Sequence, residues 1–151
     1  EIGYRQPELL RPHVDDFAAL LTSRDNRMVW GAMTALGALA PLSAADVWPH
    51  VESILQATEE GSVITQDWGL RVLAALAAAD PAYAHRTWPF LLDFLRSCRP
   101  KDLARHAESA QIAASAPPAS VELRQVLEGR LGDLKPAARK RVEKVLKRLS
   151  E

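Results

Sequence analysis

The sequence predicts an all-α chain, a solenoid of stacked antiparallel helical hairpins, and three observations carry that expectation. An arginine or tryptophan followed by proline recurs at Arg11-Pro12, Trp48-Pro49 and Trp88-Pro89, with the prolines 37 residues apart (12 to 49) and then 40 apart (49 to 89). A period of that length marks an array of similar units. Between these steps the apolar residues recur at helical spacing, and no segment alternates apolar and polar residues for any useful length, so essentially no strand is expected. In most soluble arrays a repeat of this length is a pair of packed helices, and stacked pairs make a curved slab with one long groove. Residues 1–151 therefore read as one domain, a right-handed stack of units at about 7–40, 41–80 and 81–116 and a terminal pair at 119–149.

Leu10, Val14, Phe17 and Leu21 form the apolar stripe of a first helix from about Pro7 to Thr22. Ser23-Arg24-Asp25-Asn26 breaks it. Val29, Ala32, Met33, Leu36, Leu39 and Ala40 mark the partner helix, which stops before Pro41 because proline has no amide donor and clashes with the preceding turn. Ser43-Ala44-Ala45-Asp46 reads as a variant capping box, in which the serine oxygen accepts from a free helix amide and the carboxylate favours the positive helix end. Val47, Val51, Ile54 and Leu55 face inward on the helix that follows, Thr58 continues their stripe, and Gly61 suits a left-handed turn at its end.

The partner of that helix carries Thr65, Gly69, Val72, Leu73 and Leu76 and ends at Asp80-Pro81. An aspartate cap followed by proline at the first helical position then opens the third unit, with Trp88, Leu91, Leu92 and Leu95 inward. After Ser97-Cys98-Arg99-Pro100 comes a weaker, alanine-rich stripe of Leu103, Ala107, Ala110 and Ala114, closed by Pro117-Pro118. Two helices remain, Ser120 to Leu131 with Leu123, Val126, Leu127 and Leu131 inward, and Pro136 to Leu149 with Ala138, Val142, Val145 and Leu149 inward; Gly132 separates them.

Pro12, Pro49 and Pro89 fall inside the first helix of each unit, where a proline costs about 3 kcal/mol by deleting a helical hydrogen bond. Recurrence at one position points to a shared kink. The alternative is that each proline is the true helix start.

Nineteen basic and nineteen acidic side chains cancel, so the chain is unlike one that is basic throughout and built to coat nucleic acid. Their distribution is uneven. Residues 135–149 hold seven basic groups against Glu143, a net of +6, while residues 1–134 hold twelve basic and seventeen acidic groups, a net of −5. A weakly acidic body thus ends in a basic helix. Cys98 is the single cysteine, which excludes an internal disulfide framework and fits a reducing compartment, most simply a cytoplasm of bacterial type. No apolar run approaches a membrane span, and Glu1-Ile2-Gly3-Tyr4-Arg5-Gln6 shows no basic-then-apolar leader pattern, so a soluble chain is expected. It opens on Glu1 and not on methionine, which predicts either a fragment or a partly ordered product, with earlier units ahead of it.

The stretch from Ala19 to Leu39 runs through a leucine-rich helix end, a short Ser23-Arg24-Asp25-Asn26 turn, Val29, small residues, and Ala35-Leu36-Gly37-Ala38-Leu39. It resembles a HEAT-type repeat. Gln66 to Leu76 is a looser copy and Ser109 to Ser115 looser still, so the likeness covers about residues 7 to 116. Val29-Trp30 stands where many such repeats have Val-Arg, which leaves the usual charged ladder of the second helices incomplete. The resemblance implies a noncatalytic scaffold that binds another protein or peptide on a concave face lined by the second helices, because most HEAT-like proteins are binding scaffolds and few are enzymes.

On a helical wheel Arg27, Trp30, Gly31 and Thr34 point away from the core stripe of unit one, and Asp67 and Arg71 do so in unit two, with Trp68 at the boundary. The expected partner-binding set is Arg27, Trp30, Thr34, Asp67, Trp68 and Arg71, with the two tryptophans as anchors, since large amphipathic rings dominate binding hot spots. The competing reading buries both rings halfway between units, where they gain more by covering apolar surface. Trp48 and Trp88 are expected to pack against a neighbouring unit. A second functional class follows from a likeness to HEAT-like alkylpurine DNA glycosylases, which use a concave face of aromatics, arginines and an acid. Trp30, Trp68, Arg71 and Asp67 could take those parts, although the acidic body opposes nucleic-acid binding.

The terminal helix, with Lys140, Arg141, Lys144, Lys147 and Arg148, could bind phosphates or an acidic protein surface. Its simpler reading is a solvated end cap whose cations favour the helix dipole. No metal site, cofactor or catalytic residue is expected. His13 and His50 occupy equivalent positions on successive units, about 10 Å apart across packed helices and too far to share an ion. Asp15-Asp16 and Glu59-Glu60 splay around their segments and cannot share a substrate. Cys98 lies in a turn between Arg96 and Arg99, which would lower its pKa, but no His/Asn pattern accompanies it. There is no glycine-rich phosphate loop.

Overall fold

Helix-forming runs, each ended by proline, serine, aspartate or glycine, dictate the architecture, and the computed structural model describes residues 5–150 as helices joined by short turns, with no strand among them. Glu1–Tyr4 and Glu151 lie outside the described residues, and with them most of the stretch read above for a leader. A 3-10 segment, Pro7–His13, leads into α1 (Val14–Leu20), followed by α2 (Asn26–Leu39). A single turn, α3 (Ala44–Val47), passes through a second 3-10 segment, Trp48–His50, into α4 (Val51–Glu60). Then come α5 (Val63–Ala79), α6 (Pro81–Ser97), α7 (Pro100–Ala110), α8 (Ala119–Arg130) and α9 (Pro136–Arg148).

The caps explain several of these boundaries. The Asp25 carboxylate accepts from the Arg27 amide at 2.8 Å and starts α2, Ser62 accepts from the Thr65 amide at 3.4 Å and starts α5, and Asp80 accepts from the Ala82 amide at 2.7 Å and starts α6 behind Pro81. Asp80 is the only residue between α5 and α6, so these helices turn sharply and pack against each other extensively. Ser43 does precede a helix, but its side chain makes no cap bond, so the capping box expected there is absent. Gly61 also departs from expectation. Its φ of −81° is not left-handed; it is glycine because a Cβ would run into the Ala57 carbonyl and Thr65.

The prolines share a break at two of their three positions. At Pro12 and Pro49 the carbonyl before the proline, of Arg11 or Trp48, accepts from the amide two residues after it, Val14 or Val51, the tighter pattern of a 3-10 turn. The two sites match closely in backbone geometry, with φ,ψ of −107°, 13° at His13 and −101°, 10° at His50. Hence the first helix expected at Pro7 to Thr22 is α-helical only from Val14. Pro89 behaves differently and lies inside the unbroken α6. Two turns of α6 precede Pro89, and buried Thr87, Trp88, Leu91 and Leu92 on both sides of it hold the helix, whereas α3 supplies a single turn ahead of Pro49.

Every residue of the expected stripes on α2, α4, α5, α6 and α7 is buried, from Val29 and Met33 through Ile54 and Leu73 to Leu95 and Leu103. The axis of this core is α5, buried continuously from Val72 to Ala77 and packed on α2, α4, α6 and α7. A helix contacted on so many sides becomes apolar nearly all round, which weakens its one-sided periodicity. The second helices of the expected units pack consecutively, α2 on α5, α5 on α7 and α7 on α9.

Several polar links join helices at sequence separations of 33 to 35 residues, and Asp67 pairs with Arg105 across 38. Arg11 bonds Asp46, Asp15 bonds His50 and Glu52 bonds Arg86, at 2.7 to 2.9 Å and separations of 35, 35 and 34 residues. Trp88 Nε1 donates to Glu122 at 2.8 Å across 34 residues, and Arg141 forks onto Glu108 at 2.7 and 2.9 Å across 33. Trp48 stacks on Tyr83 at 4.0 Å between ring centroids and 14° between planes. Trp48 thus packs on α6 and Trp88 bonds across to α8.

Candidate functional site

The consecutive packing of α2, α5 and α7 leaves a groove of about 540 Å³ between their exposed faces. Gly37 and Pro41 border it at the end of α2; Trp68, Arg71, Ala75, Ala78 and Ala79 form its side on α5. Arg105, Glu108 and Ser109 on α7, with Ile112 in the 3-10 segment Gln111–Ala113, form the opposite wall. Small side chains make this trough. Residues 75, 78 and 79 are alanines, the last two one turn on from the first and exposed. Ile112 is 56% exposed, an apolar side chain presented to the groove and not to the core.

Trp68 sits at one end of the trough, half-buried, with its six-membered ring against the Gly37 backbone. A Cβ at position 37 would lie 2.6 Å from ring atom Cε3, so the absence of a side chain there lets the indole lie close to α2. Arg71, one turn on, places its guanidinium 4.6 Å from the ring centroid, a cation–π contact that holds an exposed arginine at a fixed place on the rim. Trp68 is therefore both an inter-helix packing residue and part of the groove wall.

Asp67 faces the other way, into α7. One carboxylate oxygen pairs with Arg105 and the other, Oδ1, lies 3.4 Å from Nδ1 of His106, outside hydrogen-bond geometry. The His106 side chain is 2% exposed, with Phe94 edge-on at 5.4 Å between centroids. Burial pushes its pKa below the ordinary 6.5, against a smaller opposing pull from the Asp67 and Asp102 carboxylates; Arg105 and Arg99 add to the depression. Folded His106 is thus neutral at neutral pH, while the unfolded chain takes up its proton near pH 6.5. This group costs nothing above pH 6.5 and withdraws stability as pH falls below it toward the lower folded pKa. An NMR titration is expected to place the His106 midpoint below 6.5 in the folded chain, and a midpoint at or above 6.5 would contradict the dominance of burial.

The remaining sequence-predicted residues fall elsewhere. Arg27 is exposed beside the Asp25 cap, Trp30 is 37% exposed, and the Thr34 hydroxyl donates to the Trp30 carbonyl at 2.7 Å; none of the three lines the groove. On α9, Arg141 is committed to Glu108, and that pairing lowers the Glu108 pKa. Lys140, Lys144, Lys147 and Arg148 are exposed. The sequence reading missed Arg105, Glu108, Ser109 and Ile112. Arg105 lies 34 residues after Arg71, so carrying the outward face of unit two into unit three would have found it.

Other features have structural explanations. A depression between Pro12 and Pro49 is framed by the Arg11–Asp46 and Asp15–His50 links, which occupy its polar groups. Burial raises the pKa of the Cys98 thiol, and the cation opposing it is Arg130, not the Arg96 and Arg99 inferred from sequence. Arg130 instead caps α6, donating to the carbonyls of Leu95, Arg96 and Cys98 at 2.7, 2.9 and 3.0 Å. No helix among the described residues is long and apolar enough to cross a membrane. No model of a known protein family matches the chain, and no curated protein matches it.

Proposed function

We propose that the chain is a noncatalytic protein-interaction module, a HEAT-like solenoid that holds a segment of another protein in the groove between α2, α5 and α7. The observation that carries this reading is the groove itself: an open trough with an alanine floor, an exposed isoleucine wall and a stacked Trp68–Arg71 pair at its rim. Such a surface combines apolar area to bury with a fixed polar group to set orientation, the composition of a peptide site. The solenoid arrangement is supported by the file of second helices, by the matched backbone at His13 and His50, and by polar links that recur at 33 to 35 residues. The single half-buried cysteine fits a reducing cytoplasm.

The nucleic-acid reading, in the manner of HEAT-like alkylpurine DNA glycosylases, has less support. Arg71 lies over the Trp68 ring and Gly37 abuts it, so a base could stack there only by displacing them, and the Asp67 carboxylate is engaged with Arg105 in front of a buried histidine. A photo-crosslinking residue placed at Ile112, exposed in the groove, and at Glu59, outside its lining, tests the proposal in a cell extract. Discrete protein adducts at position 112 that are absent at position 59 are expected, together with passage through heparin at moderate salt. Identical adducts at both positions, or nucleic-acid adducts at 112, would overturn it.

A further inference from the structure

Resting on the groove reading above, we infer that the occupant is an acidic, aliphatic protein segment, whose carboxylate is taken by Arg71 with help from Arg105 and whose apolar side chain fills the trough beside Ile112. Charge pairing within the groove carries this. Glu108 is bound by both arms of Arg141, and the Asp67 carboxylate is turned toward Arg105 and His106. Both acids near the trough are therefore matched by cations of the protein. Arg71 faces the groove with its guanidinium set on the indole and no carboxylate of its own among the described residues. Arg71, Arg105 and Arg141 set against Asp67 and Glu108 leave cations in excess, and Arg148 also acts on Glu108, so the groove favours a carboxylate of the partner.

Geometry selects the rest of the ligand. A guanidinium held by stacking loses little freedom on binding, and its planar fork matches a carboxylate. The floor of Ala75, Ala78 and Ala79 leaves room for a branched aliphatic side chain against Ile112, and offers no donor or acceptor side chain. A lysine- or arginine-rich segment would place cations beside Arg71 and Arg105 with no free acid to meet them.

Selection of short random peptides displayed on phage, against the wild-type chain and its Arg71→Gln and Ala79→Glu variants, tests this. Position 79 is exposed, so Ala79→Glu obstructs the trough without disturbing the core. Wild type is expected to enrich peptides with Asp or Glu next to Leu, Ile or Val, with binding weakened about tenfold by Arg71→Gln, the loss of one charge-assisted contact, and abolished by Ala79→Glu. Enriched peptides that are basic or neutral, or that bind the Arg71→Gln variant equally well, yet still depend on position 79, would overturn the acidic occupant and leave the groove standing. Peptides enriched equally on wild type and the Ala79→Glu variant, or no enrichment at all, would overturn the groove and the acidic occupant together.

Discussion

Gly69→Ala is expected to lower the unfolding free energy by about 2–3 kcal/mol, the upper range for overpacking a close-packed interior, and the melting temperature by about 5–10 °C for a chain of this size. Gly69 lies where α5 crosses α4, and an added methyl would overlap the Thr58 side chain at Oγ1, Cβ and Cγ2. Thr58 cannot retreat, because it is fully buried and its hydroxyl donates to the Ile54 carbonyl at 2.7 Å. The control is Gly31→Ala. A Cβ there meets nothing within 4 Å, so the helix gains alanine's propensity, a stabilisation of about 0.5–1 kcal/mol. Calorimetric melting of both variants checks the pair, and a neutral Gly69→Ala would show that the α4–α5 crossing is looser than described.

Arg130→Ala is expected to cost about 2–3 kcal/mol, because one guanidinium holds three carbonyls at the end of α6 and hydrogen bonds to a charged group are worth about 1.5–3 kcal/mol when removal leaves partners unsatisfied. The side chain is only 14% exposed, so water cannot fully replace it. It also ties α8 to α6 across 32 to 35 residues, which makes it a link between two helices as well as a cap. Arg130→Lys should recover less than half of the loss, since an ammonium cannot span the carbonyls of residues 95, 96 and 98 in the same fork. Denaturant unfolding midpoints measure both variants, and a loss below about 0.5 kcal/mol for Arg130→Ala, the level of an ordinary surface change, would contradict this role.

The helices were legible because their signals are local. Asp80-Pro81 and Asp25 are caps within two residues of the amides they satisfy, and the stripes of α2 and α6 follow one-sided burial. Gly61 suggested a left-handed turn, yet its constraint is steric, from the Ala57 carbonyl and the Thr65 side chain four residues to either side. Where a feature depends on more distant chain, the local reading also failed. Pro89 looked like Pro12 and Pro49, but the packing of Trp88 and Leu91 around it overrode the local preference for a break. The groove was half legible for the same reason. Trp68 and Arg71 stood out on the wheel of a single helix, whereas Arg105 and Ile112 join them only when α7 is laid beside α5. Asp67, read as facing outward, is drawn to Arg105 and His106 by that same packing.

The most direct test of the central claim is calorimetric titration of the partner segment recovered at position 112 into the wild-type and Ala79→Glu chains, after both are shown to melt at the same temperature. The expected result is a loss of at least about tenfold in affinity for the variant, equivalent to about 1.4 kcal/mol or more. Equal affinities for the two chains would contradict the assignment of the groove as the binding site.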